Sequence, residues 1–157
     1  TQTDDAARDL VRENWLASCG GVYRTAAVGP ESFAGLPDYF EMTLLAFRLA
    51  LSQRIVRIDE PGFVIHEDAA GRASQSLRYH LAEQAVIREM AAIAPDAGLR
   101  RALRKKRSAA LHHCAAVCLA EGRRREAWTF HLRSIVTGGG WRYIPSTRHL
   151  VTSRQGG

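Results

Sequence analysis

Two acidic residues at the mouth of a helical pattern are the first places in this sequence where chemistry could be done. Asp38 opens the pattern, Glu41 falls in its first turn, and Arg48 follows seven residues on, sharing a helical face with Glu41. A carboxylate in a first turn beside a loop can take a proton from an incoming hydroxyl. The same carboxylate can also do no more than complement the positive end of the helix dipole. Further on, the turn Asp59-Glu60-Pro61-Gly62 leads into a short apolar run, Phe63-Val64-Ile65, that closes on His66. A histidine ending a strand can ligate a metal or contact a diphosphate. One histidine makes no metal site alone, and with only Glu67 and Asp68 beside it, His66 is otherwise a surface histidine.

His112, His113, Cys114 and Cys118 form a third group. Cys114 and Cys118 lie at i and i+4, within reach of zinc-ligand geometry. Cys114 also falls on an apolar stripe, where a free cysteine packs as a small hydrophobe. Core packing is the expectation there, and no zinc. A fourth group is basic: Arg100, Arg101, Arg104, Lys105, Lys106 and Arg107, then Arg123, Arg124 and Arg125. Most of the first run lies opposite the Leu99 and Leu103 stripe, as a solvated face would. As a docking surface, the same face would suit phosphates or an anionic membrane. No aromatics interleave to stack on bases and no nucleic-acid motif is present, which disfavours nucleic acid. The chain also lacks a P-loop, GxGxxG, GxSxG, HExxH and the Asp-x-Asp pair that holds a cation against a nucleotide diphosphate.

The elements that must position these residues are mostly helical. A helix capped by Thr3, with Asp4 and Asp5 in its first turn, runs to about Ser18. Residues 19–23 read as a short strand, and Gly29-Pro30, Gly35 and Pro37 mark a loop. Over 38–52, Phe40, Leu44, Phe47 and Leu51 make the buried stripe of an amphipathic helix. Residues 54–58 and 63–65 read as strands on either side of the Pro61-Gly62 turn. The second half predicts three helices. One carries Tyr79, Ala82, Val86, Met90 and Ile93 and ends at Pro95. The next carries Leu99, Leu103, Ala110, Cys114 and Val117 and ends at Gly122. A third covers 123–136 with Trp128, Leu132 and Ile135 inward. The short turn at Gly122 sets its flanking helices antiparallel. The tail from Trp141 mixes aromatics with Arg142 and Arg148 and is expected to fray into a polar end.

The length of 157 residues excludes a large two-domain enzyme but allows a buried core. With 46% hydrophobic and 24% charged residues, the composition is that of a globular protein. The net charge of +6 favours anionic partners. Three cysteines without framework spacing argue for free thiols. With no spanning segment or signal pattern, the chain is expected in the cytoplasm, or peripherally at the inner face of the membrane. It starts mid-pattern without methionine, which leaves a truncated or processed chain open.

The segments NWLASCGGVYRTAAVGPESFAGLP, FEMTLLAFRLA and RIVRIDEPGFVIH resemble the later half of a bacterial family 2 glycosyltransferase. Asn14, Tyr23-Arg24, Glu41, Arg48-Leu49-Ala50, Asp59-Glu60-Pro61 and His66 fall in that family's order at suitable spacings. The resemblance implies the acceptor-side end of a GT-A type α/β domain over 1–70, with a few short strands. A C-terminal helical bundle over 71–157 follows, giving an α+β, mainly helical chain. It further implies transfer of sugar from a nucleotide sugar to a hydroxyl acceptor, with a divalent metal, Mg or Mn. Glu41 and then Asp38 are the candidate bases. Arg24, Arg48 and His66 would contact substrate, and His66 could touch the metal. The family's acidic pair reads Glu41-Met42 here, so the carboxylate usually assigned as base is a methionine, and Val64 replaces an arginine before the histidine. The nucleotide-binding half would lie upstream of Thr1, so the chain by itself is expected to be weakly active or inactive. The alternative is a non-enzymatic basic helical module that binds a protein partner or an anionic surface.

Overall fold

A computed structural model of the chain describes residues 5–13, 21–56 and 76–152. The chain divides into two compact units, Thr1–Ala70 and Gly71–Gly157. Its described regular structure is helical, with no strand among the described residues.

In the first unit, α1 (Ala6–Glu13) falls within the expected helix, whose Thr3 cap and residues 14–18 lie outside the described residues. Asp5 starts it, accepting a hydrogen bond from the Arg8 backbone N–H at 3.0 Å and pairing with the Arg8 guanidinium. That satisfies one of the orphan donors of a helix start. Leu10 packs on Ala46 of α2 (Glu41–Ser52), with Ala50 and Ile55 alongside. In α2, Leu44, Leu45, Ala46 and Phe47 are fully covered, while Leu51 in the last turn is exposed. Burial thus follows the middle of the helix on several sides instead of one stripe running to its end.

The expected strand over 19–23 is corrected by its described part. Residues 21–23 lie in no element, and the chain curls at once into a turn in which the Arg24 carbonyl accepts from Ala27 (2.9 Å) and Val28 (3.1 Å). Val22 is wholly exposed, so the run has no face to bury and no strand to pair with among the described residues. Of the expected 54–58 strand, Arg54 and Ile55 lie in no element and Val56 makes a single isolated bridge. The described residues therefore do not form the expected α/β end portion; the expectation of a mainly helical chain holds. The 59–62 turn, the 63–65 run and His66 lie outside the described residues.

The second unit is built on α4 (Ala97–Ala120), which packs against α3 (Leu77–Ile93) on one side and α5 (Arg124–Val136) on the other. Ser76 caps α3 by accepting from the Tyr79 N–H at 3.2 Å, and Asp96 caps α4 by accepting from the Leu99 N–H at 2.9 Å. Arg100 reaches back to the Ala94 carbonyl at 2.6 Å, fixing the connection between them. Gly122 takes φ +74, a left-handed conformation that suits glycine, and the chain reverses there into α5.

The face α5 turns inward differs from the expected one. Ala127, His131 and Ser134 are buried, Trp128 is half-buried and Leu132 is 55% exposed. The reason is the closeness of the crossing. Ser108 of α4 is itself buried and donates to the Ser134 carbonyl at 2.8 Å, and a Cβ on Gly140 would stand 1.7 Å from that same carbonyl oxygen. Large side chains do not fit such a seam, so they move to its flanks. The tail is ordered into helical turns over 140–152, and its polar end from Ser153 lies outside the described residues. A 3-10 turn (Gly140–Ser146) and α6 (Thr147–Thr152) fold back, burying Leu150, whose carbonyl accepts from Arg124 at 2.7 Å.

Candidate functional site

The sequence-derived candidates of the first unit gather at the start of α2. Phe40 there holds φ 62 and ψ 20, a left-handed conformation rare for a bulky residue, and its carbonyl accepts the Leu44 N–H at 2.9 Å. Non-glycine residues in this region cost about 1–3 kcal/mol and cluster where a backbone positions working groups. Phe40 separates the two candidate carboxylates: Asp38 is exposed in the bend before it, and Glu41 is the first helical residue, half-buried. Arg48 is half-buried two turns further along. Met42 is half-buried beside Glu41. Arg24 is exposed in its turn. Asp38 and Glu41 are thus brought to one end of one helix, while no direct contact links Arg24 to either among the described residues. His66 lies outside them.

Two further constellations appear in the second unit. On one, Arg107 is half-buried on α4 and donates to the Gln84 side-chain oxygen at 3.4 Å. Its guanidinium is held below the ordinary arginine range by burial first and then by the positive charges of Arg88 on α3 and Arg133 on α5. Three consecutive helices therefore bring like charge to one neighbourhood. Arg101, Arg104 and Lys105 are exposed as expected, whereas Arg100, Lys106 and Arg107 are half-buried along the edges of α4.

The other joins α3 to α4. His80 and Glu83 lie side by side on α3, with Nδ1 and Oε2 3.3 Å apart, and the His113 ring of α4 stands 5.2 Å from that of His80, centroid to centroid. One ligand atom from each of the three residues lies within 4.8 Å of the others; among the described residues this is the only such group of three His, Cys, Asp or Glu. The sequence signal for it was faint: a His-x-x-Glu spacing on one helix and a histidine on the next, which only the antiparallel pairing aligns.

Cys114 and Cys118 are buried free thiols, Cys118 packing against Ala127 and Leu150. Burial, then the neighbouring Cys118, pushes the Cys114 thiol up to about 11. His112 stacks on Tyr143, with centroids 4.1 Å apart and planes at 18°, and His131 meets the Thr147 hydroxyl at 2.8 Å. No helix among the described residues is long and apolar enough to cross a membrane. No family model matches the chain, and no curated protein or solved structure is significantly similar to it.

Proposed function

We propose that residues 1–70 are the acceptor-side part of a glycosyltransferase that uses a nucleotide-sugar donor. The observation that carries this is the pairing of Asp38 and Glu41 around left-handed Phe40 at the start of a helix whose middle is fully buried. A helix buried through its middle, with carboxylates at its accessible end, suits proton abstraction, because the base is held in place while the acceptor approaches from solvent. The order of motifs from Asn14 to His66 supplies the reaction class. Glu41 takes the proton of the acceptor hydroxyl. That oxygen then forms a bond to the anomeric carbon, and the bond to the diphosphate breaks with its electron pair leaving on the nucleotide. Arg24 and Arg48 are assigned to substrate and Asp38 is the second candidate base.

The divalent metal implied by the family resemblance finds no set of ligands among the described residues of this unit, and no step is routed through it. The test is sugar transfer from a panel of nucleotide sugars by the protein expressed from its complete open reading frame. Glu41→Gln is expected to lower turnover by about 10²–10⁴-fold, the usual worth of a general base, and Asp38→Asn by less. Unchanged transfer in both variants, or no transfer from any donor, rejects the assignment.

A second function is favoured for the Gly71–Gly157 unit by one observation, the convergence of Arg88, Arg107 and Arg133 from three helices. Such a cluster suits an anionic surface, and the unit then serves as the docking module of the same chain.

A further inference from the structure

We propose that His80, Glu83 and His113 form a zinc-type divalent-cation site that clasps α3 to α4. The site is independent of the sugar-transfer assignment, for it lies in the other unit. Its donor set is two imidazole nitrogens and one carboxylate oxygen, the composition of three-ligand zinc centres that keep a fourth place for water. Magnesium and calcium, which seek oxygen ligands, fit it poorly.

Geometry carries the case. Two ligands on a tetrahedral ion at bond lengths of about 2.0–2.1 Å stand roughly 3.3–3.4 Å apart. His80 Nδ1 and Glu83 Oε2 already stand at 3.3 Å, one edge of that tetrahedron. Both side chains are half-buried, so part of their desolvation is complete before an ion arrives. His113 is exposed and its ligand atom is within 4.8 Å of both others, a gap that rotation of an unconfined ring can close. A hydrogen bond between His80 and Glu83 accounts for two of these residues and leaves the arrival of a second histidine from the next helix without a role.

The placement gives the ion work to do. His80 and Glu83 lie in the opening turns of α3 and His113 lies in the later part of α4, at the end of the hairpin away from the 94–96 connection. An ion there cross-links the end that the chain leaves open, so its binding energy becomes stability of the hairpin. Lys106, on the same face of α4 as His113, feels the charge of Glu83 and opposes the ion.

The experiment titrates the full chain with Zn²⁺ against a chromogenic chelator, and with Co²⁺ by its visible absorption, in parallel with a thermal melt. One ion per chain is expected, with tetrahedral cobalt absorption lacking a thiolate charge-transfer band and a raised melting midpoint. His113→Gln, an exposed change that leaves packing intact, and Glu83→Gln should each weaken binding by at least about tenfold and abolish the rise in midpoint. Lys106→Met should tighten binding several-fold, a gain that no purely structural part for these side chains would produce. Absence of binding, binding unaltered by His113→Gln and Glu83→Gln, or binding lost instead in Cys118→Ser overturns the site.

Discussion

At the scale of single residues, the second unit carries a pH dependence in two histidine rings, His131 buried and His112 half-buried. His112 and His131 are both held below the ordinary imidazole range, chiefly because burial disfavours the cation; for His112 the charges of His113, His131 and Arg142 add to it. The buried Nδ1 of His112 has no hydrogen-bond partner among the described residues, so a proton there would meet no acceptor. Unfolding restores the ordinary value of about 6.5, so just below that pH the unfolded chain binds more protons than the folded one. The sign follows: these rings contribute stability that is complete above about pH 6.5 and is lost as pH falls through it. The melting midpoint of the chain is expected to drop between about pH 7.5 and pH 5.5, and His112→Gln/His131→Gln to flatten that slope. An equal slope in the double variant removes the assignment. The sequence made Cys114 legible as a core residue, because it sat on an apolar stripe. It hid His131, since a polar ring at an inward position shows only once Thr147 is seen to meet it.

Helices and their ends were the most legible elements, because capping is a local bargain between neighbouring residues. Pro95 closing one helix and Gly122 reversing the chain follow from a few adjacent side chains, while α2, expected from Asp38, begins at Glu41. Asp96 gives the measurable case. Its carboxylate accepts the Leu99 N–H at 2.9 Å at the start of the longest helix among the described residues. Asp96→Ala should lower unfolding free energy by about 1 kcal/mol, while Asp96→Asn, which can cap equally well, should lose little. A urea titration checks this by a shifted midpoint at constant slope, and equal midpoints for the alanine and asparagine variants would refute the cap. Less was legible where contacts are non-local. Periodicity marked Leu132 as inward, yet the close α4–α5 seam of Ser108, Ser134 and Gly140 accompanies an inward face of Ala127, His131 and Ser134, with Leu132 out. The glycine-bearing run 19–23 and alternation over 54–58 suggested strands. A strand needs a partner, and the described parts of these runs show exposed Val22 and Val56 instead of a ladder.

At the scale of the whole molecule, a net charge of +6 pointed to an anionic partner without saying where it would bind. The sequence placed the charge along one run of α4, but the like charges of Arg88 and Arg133 reach Arg107 only because α3 and α5 flank that helix. Among the described residues, no carboxylate lies within ion-pair distance of these three, in contrast to Arg123, which is held by Glu121 at 2.9 Å and Glu126 at 2.7 Å. Arg107 is half-buried and tied to Gln84, so Arg88 and Arg133, both exposed, are the residues to test. Near an anionic bilayer each such cation is worth about 1 kcal/mol, so Arg88→Gln/Arg133→Gln should weaken binding to phosphatidylglycerol vesicles by about thirtyfold. Arg123→Gln, removing a charge already neutralised by two carboxylates, should change it little. Binding of the unaltered chain should fall steeply as salt rises, since the Debye length shortens from about 10 Å at 0.1 M to about 3 Å at 1 M, and neutral phosphatidylcholine vesicles should not be bound. Co-sedimentation with vesicles reads all four quantities. Equal losses in the Arg123 variant and the Arg88/Arg133 variant would show that total charge, and not this convergence of three helices, sets the affinity.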